Sequence, residues 1–185
     1  MCKPKIEINH VGLSVKDIDK AIEFYTSVMG WELIGGPFTI KNDGGSTGIT
    51  NTLYGYNGHT WTSFRLAHIL ADNGVGLELL EFEGGFDPEG LDEFNFKQHG
   101  VFHFAITVPD THAFAEKVKE WGGKEICDYN ERPMGDVATS TVYLKDPCGI
   151  IFEVHNKNYE FLNRLPKEIM EKLRAMAAAQ KAGQK

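Results

Sequence analysis

Apolar residues along this chain follow first an alternating and then a helical pattern, and this order occurs twice. The run from Ile6 to Val15 is rich in β-branched residues and predicts a strand, and residues Asp17 to Val28 have apolar side chains at helical spacing. The same succession returns as a strand at Val101 to Val108 and a helix that follows Asp110. An aspartate stands where each helix would need an N-cap, and glycines follow the expected ends of both helices.

The two segments align without a gap over more than twenty residues, at the offset of 93 that separates His10 from His103. Few aligned positions are identical, but apolar residues align with apolar residues, small with small and acidic with acidic. Each copy also ends with a strand that carries a glutamate in matching context, Glu78 in the first and Glu153 in the second. The pattern therefore predicts a βαβββ unit used twice.

These elements predict an α+β fold of two tandem βαβββ modules that form a curved mixed sheet around a cleft, with a C-terminal helix. We expect the first module at 1–85, the second at 86–157, and a tail helix with a frayed end at 158–185. The first module contains an insertion at 37–58, rich in Gly, Asn, Ser and Thr, which we expect to act as a lid over the cleft. The tail helix would pack on the body or on a partner subunit.

The candidate chemistry lies on the inward faces of these strands. His10 and His103 are each followed, two residues on, by a small residue, which leaves room beside the imidazole. Glu153 lies in a run that is apolar on both sides, and a buried carboxylate needs a strong partner such as a divalent cation. Taken singly, each histidine is explained as a core residue and each glutamate as solvated; their repetition at equivalent positions favours a metal site.

Two histidines and two glutamates without sulfur suit a six-coordinate divalent ion, namely Ni, Co, Mn, Fe or Zn. Four protein ligands leave two positions for water or for adjacent oxygens of a substrate. Such an open site acts as a Lewis acid. The sequence therefore predicts one ion held by His10, Glu78, His103 and Glu153.

Composition narrows the possible partners. The chain has 185 residues and a net charge of −7, with no basic stripe of the kind that binds nucleic acid. No segment has the ~18–20 apolar residues of a membrane span, and the N-terminus has no apolar signal core, so we expect a cytoplasmic protein without membrane contact. Its three cysteines lie far apart and predict a reduced, disulfide-free chain, with Cys148 as a turn residue near the metal.

Five motifs in order resemble the vicinal oxygen chelate superfamily, which includes glyoxalase I, methylmalonyl-CoA epimerase, fosfomycin-resistance enzymes, bleomycin resistance proteins and extradiol dioxygenases. They are N-H-V-G-L-S-V at 9–15, F-Y-T-S-V-M-G-W at 24–31, L-E-L-L-E-F at 77–82, F-H-F-A-I-T-V at 102–108 and D-P-C-G-I-I-F-E-V at 146–154. The resemblance implies paired modules around a metal cleft, with the ligands at the four positions above. Glutamate at position 78 is similar to bacterial glyoxalase I, whereas the dioxygenases use no ligand there and the epimerases generally place glutamine.

The resemblance favours a metal-dependent isomerase or lyase. A small substrate would chelate the metal through adjacent oxygens, and a carboxylate, either Glu78 or Glu153, would move the proton by way of an enediolate. One alternative is an Fe(II) extradiol-type dioxygenase that uses His10, His103 and Glu153. Another is a metal-free drug-binding protein. We expect a homodimer, and we assign no function to His68 or His112. His155 is expected at the solvent edge of its strand end, and the alternative is a proton carrier or substrate ligand that faces the cleft.

Overall fold

The computed structural model describes residues 7–42, 61–83, 100–101, 103–164, 168–169, 171 and 175. Strand β1 spans His10–Ser14, helix α1 Ile18–Ser27, and strands β2, β3 and β4 span Glu32–Lys41, Ser63–Leu70 and Gly76–Phe82. In the second repeat, β5 spans Phe104–Thr107 and helix α2 Thr111–Glu120. Strands β6 to β9 span Lys124–Glu125, Asn130–Met134, Val137–Lys145 and Ile151–His155, and helix α3 spans Tyr159–Asn163.

The predicted α+β class and its internal repeat are confirmed, with the strands arranged in two mixed sheets. The first sheet has the order β1-β4-β3-β2, and the second has the order β5-β9-β8-β6 with β7 beside β8. In both repeats the first strand pairs in parallel with the last, and the other pairings are antiparallel. The second repeat differs in one respect, because two short strands replace the single strand expected after its helix.

Both long helices begin where the sequence predicts. The Asp17 side chain accepts a hydrogen bond from the Lys20 amide at 3.1 Å, and the Asp110 side chain accepts one from the Ala113 amide at 3.0 Å. These bonds satisfy backbone N–H groups that have no partner inside the first helical turn. Within the described residues, no helix is both long and apolar enough to cross a membrane.

Helix α1 joins the two repeats. Phe24 lies against Phe152 of β9, and the Tyr25 hydroxyl donates a buried hydrogen bond to Asp146 at 2.9 Å. The Lys117 ammonium of α2 donates to the Ser27 and Val28 carbonyls at 2.9 and 3.1 Å. One hydrophobic core therefore spans both repeats, and it passes through the helices and the backs of the sheets.

Two predicted segments lie partly outside the described residues. The first positions of the expected insertion, 37–41, belong to strand β2, and residues 43–60 are not described. Of the expected tail helix, α3 covers the beginning and Ile169 is exposed. The proposed lid and the end of the tail thus fall outside what the structure describes.

Candidate metal centre

The four predicted ligands lie in two pairs, one on each sheet. His10 Nε2 is 3.9 Å from Glu78 Oε2 in the first repeat, and His103 Nε2 is 3.3 Å from Glu153 Oε2 in the second. His10 begins β1 and His103 directly precedes β5, while each glutamate lies on the last strand of its repeat, which is the parallel neighbour of the first. We call these two groups the first half-site and the second half-site.

Strand register explains why each pair forms. Gly12 lies opposite Glu78 and Ala105 lies opposite Glu153, so a small residue occupies the neighbouring strand at the level of each carboxylate. A Cβ atom at Gly12 would have no heavy atom within 4 Å. The space beside Glu78 therefore remains open within the described residues, as the small residue after His10 predicts.

The second half-site is the more enclosed of the two. The Glu153 side chain is 17% exposed and that of His103 is 23% exposed. The Tyr143 ring lies edge-on to the His103 ring, with centroids 5.3 Å apart, and its hydroxyl is hydrogen-bonded to Glu153. Burial, together with the Glu153 charge, raises the pKa of Tyr143 to about 12, so its hydroxyl stays protonated and remains a donor.

His155 is a further member of the second half-site. Its Nε2 atom is 3.2 Å from Glu153 Oε2, and its Nδ1 atom is 2.8 Å from the Thr141 hydroxyl oxygen. His155 is the last residue of β9, as the strand-end position predicts, and it also lies beside the candidate ligand, because His155 and Glu153 are two residues apart on β9 and so share one face of the sheet. The i, i+2 spacing is the sequence signal for this contact.

The first half-site opens into a cavity of about 360 Å³ that is lined by His10, His68 and Glu78. His68 lies opposite Glu78 in the β3–β4 register, a position that the sequence alone did not single out. Strand β2 approaches β3 closely here, since a Cβ atom at Gly36 would clash with the Leu66 carbonyl oxygen. Glu81 does not line this cavity and pairs with Arg65 at 3.2 Å.

The two half-sites remain separate within the described chain. Among these residues, no three or more His, Cys, Asp and Glu side chains form a group able to hold a metal ion. Cys148 belongs to neither half-site; it is buried in the core, with its sulfur 3.5 Å from the Asp17 carbonyl oxygen. A larger cavity of about 620 Å³ lies at the start of α2, between His112 and Arg132, and contains neither pair.

The family model of the Glyoxalase/Bleomycin resistance protein/Dioxygenase superfamily matches residues 7–154, a span that includes all four predicted ligands. The chain belongs to this superfamily. The resemblance inferred from the five motifs is thereby confirmed.

Individual relatives agree on the family and differ in their names. A probable lactoylglutathione lyase of Vibrio cholerae is 31% identical over 151 residues, covering 81% of this chain and 91% of the relative. A 2-epi-5-epi-valiolone epimerase of Actinomyces is 28% identical over 160 residues, covering 82% of this chain and 79% of the relative. At this level of identity the relatives support membership of the family. They do not establish which reaction this chain catalyses.

Solved structures confirm the fold. A glyoxalase family protein from Bacillus cereus superposes with a TM-score of 0.65 at 18% identity, covering 84% of this chain and 97% of the other. The fosfomycin resistance protein FosX of Listeria monocytogenes, solved with Mn(II), has a TM-score of 0.51 at 19% identity, covering 85% and 96%.

Proposed function

We propose that this protein is a metal-dependent isomerase or lyase that acts on a small molecule with two adjacent oxygens. The observation that carries the proposal is the pair of His–Glu contacts at equivalent positions of the two repeats. Glutamate at both carboxylate positions favours proton transfer, because it offers a base as well as two anionic ligands. The two relatives named above, a lyase and an epimerase, support the same class of chemistry.

The donor atoms fit a divalent ion. Two donors bound at right angles to one ion, each at ~2.1 Å, stand about 3 Å apart. The 3.3 Å separation of His103 and Glu153 is close to this value, and the 3.9 Å separation of His10 and Glu78 requires a further approach of somewhat less than an ångström. Nitrogen and carboxylate oxygen donors without sulfur suit Mn, Fe, Co, Ni or Zn. When bound, such an ion would supply a Lewis acid for the negative charge that develops on the substrate oxygens.

The separation of the half-sites supports a site shared between two copies of the chain. Strands β1 and β5 end their sheets, and both present an exposed apolar residue two positions before the ligand histidine, Ile8 at 72% and Val101 at 89% exposure. A second copy that packs β5 beside β1 would cover these residues and unite one first half-site with one second half-site. Twofold symmetry would then give two identical four-ligand sites per homodimer.

Metal content tests this proposal directly. Purified protein reconstituted with Mn, Ni, Co or Zn should contain about one equivalent of metal per chain, as one site per paired set of modules requires. The H103A variant should lose most of this metal, because it removes a ligand from the more enclosed half-site. Absence of metal from the parent protein would contradict the proposal and would favour a metal-free binding protein.

Activity should not depend on oxygen. We expect proton exchange at the carbon beside the carbonyl in a panel of 2-hydroxyketones, 2-oxo compounds and thiol hemiacetals, followed by NMR in D₂O under anaerobic conditions. Catechols serve as the matched panel for ring cleavage. Cleavage of a catechol that requires Fe(II) and consumes O₂ would instead identify a dioxygenase.

A further inference from the structure

The two half-sites are chemically unequal, although the repeat would make them alike. Two residues after Glu153 the second repeat carries His155, whereas two residues after Glu78 the first repeat carries Leu80. Leu80 is buried beside Trp61 and Phe64 in a small apolar cluster. The position two residues after the carboxylate therefore carries an imidazole in the second repeat and a buried leucine in the first.

His155 is fixed at both ring nitrogens. Its Nδ1 atom is hydrogen-bonded to the Thr141 hydroxyl at 2.8 Å, and its Nε2 atom lies 3.2 Å from the Glu153 carboxylate. The register places Thr141 directly opposite His155, so the strand pairing itself holds the imidazole in this orientation.

Two side chains besides His103 thus contact Glu153. The His155 imidazole lies 3.2 Å from its carboxylate, and the Tyr143 hydroxyl, from the residue opposite Glu153 in the register, is hydrogen-bonded to it. A carboxylate held in this way has few rotamers left. Hydrogen bonds of this kind to a ligating carboxylate typically orient it for metal binding.

Within the described residues, the Glu78 carboxylate has fewer polar contacts than the Glu153 carboxylate. The Glu78 side chain is 25% exposed, and its carboxylate lies 3.9 Å from His10 Nε2, a separation that exceeds that of a hydrogen bond. Among the residues that the structure describes, the Glu78 carboxylate is therefore less restrained in its rotamer than that of Glu153. It also faces the cavity shared with His10 and His68, where a small molecule has room.

We propose that His155 is a positioning residue that fixes Glu153 as a permanent metal ligand, so that Glu78 is the carboxylate that carries the proton. This inference rests on the proposed function and assigns different roles to its two glutamates. The Glu78 carboxylate would take the proton from the substrate carbon beside the carbonyl, leaving the electron pair in the enediolate. It would then return the proton either to the same carbon or to the former carbonyl carbon. In the second case the substrate's hydroxyl proton moves to the former carbonyl oxygen, so that atoms and charge balance.

The affinity for Mn(II) alone tests the role of His155, measured by competition with a chromophoric chelator. H155L, which copies the residue of the first repeat, should weaken Mn(II) binding about 10–100-fold. H155Q keeps an N–H donor and should restore most of the affinity. H112L is the matched control, since His112 forms a 2.8 Å pair with Glu131 on the other side of the second repeat, and its affinity should equal the parent's.

Glutamate variants test the division of roles. E153Q should lose Mn(II) at least as strongly as H155L, whereas E78Q should keep most of the metal and lose about 10²–10⁴-fold in proton exchange on the compound found by the screen above. Thermal unfolding of the metal-free variants verifies that each one folds. Parent-like Mn(II) affinity in H155L, or metal loss in E78Q as large as in E153Q, would overturn this inference while leaving the proposed function intact. A parent protein that binds no metal would instead defeat the proposed function.

Discussion

Two cysteines that look alike in the sequence occupy opposite surroundings in the structure. Cys127 is exposed, whereas Cys148 is almost fully buried in the core between the repeats. Burial, reinforced by the nearby Asp146 charge, raises the pKa of the Cys148 thiol to about 11. The position of Cys148 in the D-P-C-G turn therefore serves packing.

Alkylation should separate the two cysteines. At pH 8 the thiolate fraction of Cys148 is about two orders of magnitude below that of an ordinary exposed thiol, and burial also blocks access. Iodoacetamide should therefore modify Cys127 in the folded protein while Cys148 stays unmodified until the chain is denatured in urea. Peptide mass spectrometry at both positions provides the measurement. Rapid labelling of Cys148 in the folded protein would contradict its placement in the core.

Among single residues, the histidines show how far local sequence reaches. His10 and His103 could be selected because the repeat presents them twice. His155 occurs once and lies beside Glu153 because the two residues are two positions apart on β9, whereas His68 lies opposite Glu78 through strand register. Register is set by pairing between distant segments, so no local pattern contains it.

At the scale of elements, the first and second helices use the same device to begin. The Asp17 and Asp110 side chains accept the amide hydrogen bonds described above, one in each repeat. The bond from the Lys20 amide is the main reason that the pKa of Asp17 lies below its ordinary value of 3.8. The charged form is thus the one that caps the helix.

Removing a helix cap should lower the free energy of unfolding by an amount that depends on pH. D17A and D110A should each lower the free energy of unfolding by about 0.5–2 kcal/mol, while D17N should keep most of the stability because asparagine also caps well. Since the folded pKa of Asp17 is lowered, its contribution is complete at neutral pH and disappears as the pH falls from 3.8 through the folded value. Urea unfolding of the parent and D17A at several pH values is the measurement. A constant difference at every pH would count against this account.

The second repeat also shows where periodicity is insufficient. After α2 the chain forms two short strands, β6 and β7, which pair with opposite ends of β8, where one strand was expected. The four residues between them include Cys127 and Tyr129, and the Tyr129 hydroxyl donates to Glu125 at 3.0 Å. Such a break depends on side-chain contacts rather than on apolar spacing.

At the scale of the whole molecule, the two repeats contact each other through α1. Strands β1 and β5 lie at the ends of their sheets. The buried Tyr25–Asp146 hydrogen bond and the Phe24–Phe152 contact hold this arrangement. The half-sites lie on the sheets, one beside each of these edges. The proposed shared site therefore depends on how two copies meet.

A mixing experiment tests the shared site. H10A and H103A homodimers should each bind little metal, because every one of their sites lacks a histidine. After the two variants are dissociated and reassociated together, half of the dimers should contain both chains, and each of those dimers has one intact site. Metal capacity should therefore recover to roughly a quarter of the parental value.

The control is each variant carried through the same steps alone, with metal measured by elemental analysis. No recovery in the mixture, in a protein whose parent binds metal, would mean that the four ligands meet within one chain. The distinction requires no knowledge of the substrate.

The sequence by itself determined the α+β class, the internal repeat, the start of both long helices and the four candidate ligands. These features depend on local spacing and on the recurrence of the same residues at a fixed offset, which can be read from one chain. Tertiary structure alone decided that the ligands lie in two pairs, that Tyr143 contacts Glu153 and Thr141 contacts His155, and that Cys148 is buried. Each of these depends on strand register and on packing between segments far apart in the chain, where small differences in pairing move a side chain from one face to the other.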